Sequence, residues 1–84
     1  MAKVDIYNYS SPTDVNTVTL SNCDSTTVSD YAIVVQRDVT SNDDIANGVT
    51  FMIEPHAISG TTMTLQDGGA ITKCKCIMVT QKGA

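Results

Sequence analysis

Tryptophan is missing from this 84-residue chain, and histidine, phenylalanine and glutamate each occur once. Each scarcity excludes something. With no Trp, one Phe and three Tyr, there are too few aromatic rings for the stacking platforms a sugar-binding surface needs. Five basic residues against nine acidic ones leave a net charge of −4 and a pI near 4.4. That balance opposes a groove that follows a phosphate backbone, so no direct nucleic-acid partner is expected. No stretch approaches the roughly 18 consecutive apolar residues of a membrane span. The first residues, Met1 to Tyr7, put no uninterrupted apolar segment behind Lys3, so the expectation is a chain that is neither exported nor membrane-bound. Helix formers are also few, with two Leu, six Ala and one Glu.

What is abundant is β-branched. Nine Val, seven Ile and twelve Thr make 28 of the 84 residues. Such side chains lose rotamer freedom in a helix and suit a pleated, half-buried surface. A chain this short forms one domain whose core only narrowly offsets chain entropy, so oligomer contacts would help it.

Alternation of period two locates the strands. Residues 2–9 put Val4, Ile6 and Asn8 on one face and Asp5, Tyr7 and Tyr9 on the other. Ser10 to Asp14, with Pro12 lacking a ladder donor, is expected to break that strand. Val15 to Leu20 follows, then a turn at Ser21–Ser25. Thr26 to Ser29 reads as a weak strand leading into Tyr31–Arg37, whose two apolar faces predict a central strand. Asp38 to Gly48 reads as a polar loop with room for one helical turn near Ser41–Ala46. Val49, Phe51 and Ile53 alternate with Thr50, Met52 and Glu54, and Met63 and Leu65 alternate with Thr62, Thr64 and Gln66 beyond a Pro-containing corner. Asp67-Gly-Gly69 is a turn signal, and a last strand runs from Ile71 to about Thr80. There, strict alternation sets Cys74, Cys76 and Met78 on one face and Lys73, Lys75, Ile77 and Val79 on the other, with Ile77 and Val79 expected to face outward.

The reactive residues form no recognised constellation. His56, beside Glu54 and Pro55, lies in no serine- or cysteine-nucleophile context, and its expected role is that of a corner residue. Asn42, Asp43 and Asp44 lack calcium-loop spacing and the distant bidentate Glu. Three cysteines cannot close a disulfide framework. Cys74 and Cys76, i and i+2 on one strand, are roughly 7 Å apart, too far for a direct bond. With Cys23 and His56 they offer a thiophilic metal only an incomplete set without CxxC pairs. No catalytic residue, cofactor or metal is therefore expected.

One pattern reaches further. The order Val15-Asn-Thr-Val-Thr-Leu-Ser-Asn22, a Ser/Thr-rich spacer, Tyr31-Ala-Ile-Val-Val-Gln-Arg37, a polar loop, Val49-Thr-Phe-Met-Ile53 and Pro55-His-Ala-Ile-Ser-Gly-Thr-Thr-Met-Thr-Leu-Gln-Asp-Gly68 resembles small all-β virion proteins of tailed bacteriophages. The likeness covers residues 15–80 and is one of spacing and residue class. The sequence departs from it at His56 and Ile58, where a more Pro-rich corner is usual, and in the Cys-Lys-Cys of the last strand.

The resemblance implies a non-enzymatic structural subunit, foremost a capsid decoration or cement protein binding the major capsid protein or other virion proteins. It also implies a homo-oligomer assembled in the host cytoplasm. A neck, tail or fibre subunit is the alternative within that class. A carbohydrate- or cell-surface-binding module and a redox or metal protein built on Cys23, Cys74 and Cys76 are the alternatives outside it. The expected fold is all-β, a compact antiparallel β-sandwich of about six or seven strands spanning residues 1–84. Residues 1–9 are either an interface strand or an arm. The candidate partner-interface residues are Tyr7, Tyr9, Ile77 and Val79.

Overall fold

A computed structural model describes residues 2–38 and 49–83. Its seven strands are β1 (Lys3–Val15), β2 (Thr17–Thr19), β3 (Tyr31–Arg37), β4 (Val49–Ile53), β5 (Ala57–Ser59), β6 (Thr62–Thr64) and β7 (Ile71–Gln81). They form a four-stranded antiparallel sheet in the order β1-β7-β3-β4 and a three-stranded one in the order β2-β6-β5. The fold is thus an all-β, two-sheet sandwich. The expected helical turn near Ser41–Ala46 and the acidic group Asn42–Asp44 lie outside the described residues.

The core lies between the sheets. The large sheet contributes Tyr31, Ile33, Val35, Ile77 and Val79, and the small sheet's side contributes Val18, Leu20, Met63 and Leu65, each at most 5% exposed. β3 is central, flanked by β7 and β4, as its two apolar faces suggested. The β5–β6 hairpin closes through Gly60 and Thr61, with Ser59 opposite Thr62. Gly60 has a φ of 60°, the positive value that the first position of a type II′ turn requires.

Two local expectations change. Val28–Asp30 is a 3-10 turn rather than a strand. Polar side chains there capture the backbone: Ser25 donates to Asp30 at 2.6 Å, and the Tyr31 hydroxyl donates to the Ser25 carbonyl at 2.7 Å. At Ser10–Asp14, β1 keeps its extended backbone but loses its regular pairing. The β1–β7 ladder jumps from Asn8↔Cys76 to Thr13↔Cys74, so Pro12 falls in a bulge where no donor is demanded.

The larger correction concerns β7. Against β3 the register passes from Gln36↔Cys76 to Arg37↔Cys74, two residues on one strand for one on the other. A second shift lies between Thr13↔Cys74 and Val15↔Ile71, where Lys73 adopts a φ of 59°. Each bulge reverses the in–out alternation. The buried residues of β7 are consequently Ile71, Cys74, Ile77 and Val79. Cys74 and Cys76 do not share a face, and Ile77 and Val79 point into the core.

Candidate functional site

The four proposed interface residues all lie on the inner side of the large sheet. Ile77 and Val79 are 0% exposed, so neither can meet a partner while the sandwich is closed. Tyr7 and Tyr9 are half-buried against the core. The Tyr7 hydroxyl donates to the Thr19 carbonyl at 2.6 Å, tying edge strand β1 to β2 across the sandwich. Burial, and then the charge of Asp5, push the Tyr7 phenol up to about 12. Tyr7 thus joins the two sheets, and Tyr9 packs against the core between them. Tyr7→Phe removes that one hydrogen bond, with an expected loss of about 1 kcal/mol, readable as a lower urea midpoint with an unchanged slope.

Asp5 is the one buried charged residue among those described, at 5% exposure. Its carboxylate accepts from the backbone N–H groups of Ser21 (3.0 Å), Asn22 (2.9 Å) and Cys23 (3.0 Å). Three successive N–H groups form an anion-holding concavity. Burial alone would raise this carboxyl, but the three donors outweigh it and hold the group at about 2. Around it the Asn22 side chain donates to the Val4 carbonyl (3.2 Å), and Lys3 pairs with Asp24 (2.6 Å). Gln81 accepts from the Asp24 and Ser25 N–H groups at 2.8 and 3.1 Å. Loop 21–25 is therefore stapled to the start of β1 and the end of β7. These interactions lock one end of the sandwich.

The cysteines are three free thiols. Burial pushes Cys23 up to about 11, the Asp5 carboxylate adding to the effect, and burial likewise raises Cys74. Both rest as protonated thiols at neutral pH, and the thiolate is the form that attacks or binds metal. Cys76, in phase with Met78, is on the outer side of β7. His56 is exposed at the corner before β5; its backbone N–H donates to the Thr64 carbonyl at 2.9 Å, and its ring lies 3.8 Å from Asp67. Among the described residues, no three His, Cys, Asp or Glu side chains gather as a metal site would require.

The feature that stands out is the outer face of the large sheet. Ile6 lies opposite Met78, Met78 opposite Val34, and Val34 opposite Met52. One apolar row therefore crosses all four strands. Ile6 is 57% exposed, Met52 70% and Met78 36%, and neighbouring Val4 is 37% exposed. Rows of Asn8–Cys76–Gln36–Thr50 and Val4–Thr80–Ala32 flank it, and none of these positions carries charge. Exposed apolar residues scattered singly are ordinary, whereas this uncharged strip is continuous across the sheet.

The β1 part of this strip was visible in the alternation of Val4 and Ile6, but the tyrosines on the opposite face look equally suited to a partner. Met78 was hidden by the β7 bulges. Compared with family models, curated proteins and solved structures, the chain has no match.

Proposed function

We propose that the chain is a non-enzymatic structural subunit of a tailed-phage particle, foremost a decoration or cement protein on the head. Its partners are the major capsid protein or other virion proteins, with no direct role for nucleic acid or membrane. The observation that carries the reading is the uncharged apolar strip across the outer sheet face, on a chain whose residues 15–80 resemble small virion β-proteins. Support also comes from the way the polar side chains are used: Asp5, Tyr7 and Gln81 all hold the sandwich closed. A rigid body with a greasy face adds contact area between neighbouring subunits. Anything that binds only the assembled state raises the free energy of dissociation.

Quantitative mass spectrometry of particles purified from cells infected by the phage that encodes the chain tests this reading. The expected result is the chain present in copies comparable to the major capsid protein. A few copies per particle would move it to the neck or tail, and absence from particles would refute the virion reading.

A further inference from the structure

We infer that the outer face of the four-stranded sheet is a self-association surface whose occupant is the same face of a second copy of this chain. The inference rests on the reading of that face as a protein contact and names its partner.

Charge is the first argument. Each copy carries −4, so two copies repel wherever their charged surfaces approach. The outward positions Val4 to Asn8 on β1, Cys76 to Thr80 on β7, Ala32 to Gln36 on β3, and Thr50 and Met52 on β4 carry no charge. The exposed Glu54, next in phase after Met52, stands at the rim, where a two-fold axis between β7 and β3 sets it over the second copy's Val4, so a like-charged twin can meet the centre of this face without opposing an ion. A partner steered by charge would find nothing at that centre to pair with.

Shape is the second argument. The order across the row is Ile6, Met78, Val34, Met52. A two-fold axis parallel to the strands, passing between β7 and β3, lays Met78 over the second copy's Val34 and Ile6 over its Met52. Each flexible thioether then meets a stiff β-branched side chain, and methionine fills irregular gaps of that kind well. The flanking row places Asn8 over Thr50 and Cys76 over Gln36, polar against polar at the rim. An isologous contact needs this self-complementarity, and aligned sheets pack face to face with strand directions within about 30° of each other.

Area sets the strength. Four strands at ~4.8 Å spacing and the length of β3 at ~3.3 Å per residue give a face of about 19 by 23 Å. That is about 440 Å² per copy, below the standard interface size and in the range of weak encounters, so association at roughly tens to hundreds of micromolar is expected.

Analytical ultracentrifugation of the purified full chain provides the test. Wild type is expected to move from the 8.9 kDa monomer at about 1 μM towards twice that mass at several hundred μM. Met78→Lys, placing charge at the centre of the face, and Ile6→Lys, placing it at the edge, are each expected to weaken dimerisation at least tenfold. Both side chains are solvent-exposed, and far-UV circular dichroism identifies any variant that fails to fold. Wild type that stays monomeric throughout this range, or folded lysine variants that dimerise as wild type does, would overturn the inference. Such failure is separable from failure of the virion reading, which is judged by the chain's presence in particles.

Discussion

Asp5→Ala is expected to cost about 3 kcal/mol, a large fraction of the stability of a domain this size. The substitution strands three backbone N–H groups, of Ser21, Asn22 and Cys23, that now converge on one buried carboxylate. Charge-assisted hydrogen bonds are roughly twice as strong as neutral ones, and a buried donor left without its acceptor loses its full solvation. Asp5→Asn keeps the shape but supplies one oxygen and two unwanted donors, and about 2 kcal/mol is expected.

The same group sets the acid response. Its folded value of about 2 lies below the ordinary 3.8, so the unfolded chain takes up the proton more readily. Stability from Asp5 is therefore complete above the ordinary value and is lost as pH falls towards and through the folded one. At ~1.4 kcal/mol per unit, the loss is about 2 kcal/mol between pH 5 and pH 1. Asp24, lowered by its hydrogen bonds to Lys3 and Gln81, acts in the same direction. Urea unfolding at pH 7, 4 and 2 reads this out: wild type should weaken steadily on acidification, and Asp5→Asn should respond less. A wild-type midpoint independent of pH over that range would remove Asp5 from its place in the lock.

Ile77→Ala and Met78→Ala should differ sharply although the positions are adjacent. Ile77 is 0% exposed in the core and Met78 36% exposed on the outer face. Truncating Ile77 removes buried apolar surface and leaves a cavity in a thin sandwich that has little around it to collapse, so about 3 kcal/mol is expected. Met78→Ala should stay within about 0.5 kcal/mol when measured on dilute monomer. Thermal or urea unfolding of the pair decides the phase of β7. Equal losses, or a larger loss at Met78, would put the bulges in the wrong place.

That pair also shows how much the sequence could tell. Strand existence was legible because Val, Ile and Thr dominate the chain and alternate in Tyr31–Arg37, Val49–Ile53 and Thr62–Leu65, where pairing is regular enough to keep one phase. The phase of β7 was not legible. Its two bulges arise from register with β1 and β3, and strict alternation through Lys73 and Lys75 carried the wrong face forward to Ile77 and Val79.

Which face of β1 turns inward was hidden for a related reason. In β1 both faces hold sizeable side chains, Val4 and Ile6 on one and Tyr7 and Tyr9 on the other. Only the location of the second sheet, with Thr19 receiving the Tyr7 hydroxyl, shows which face is inside. The role of Asp5 was not legible because its partners, Ser21 to Cys23, are distant in sequence and supply backbone rather than side-chain groups.

Methionine oxidation compared between free protein and purified particles tests most directly the claim that the chain works through its outer sheet face. Thioethers oxidise where reagent reaches them, and the chain places Met52 and Met78 on that face and Met63 in the core at 0% exposure. In dilute free protein, Met52 and Met78 should oxidise readily while Met63 resists. In particles the same two should be protected, with Met63 unchanged. Oxidation of Met52 and Met78 in particles at the rate seen in the free protein would contradict the claim.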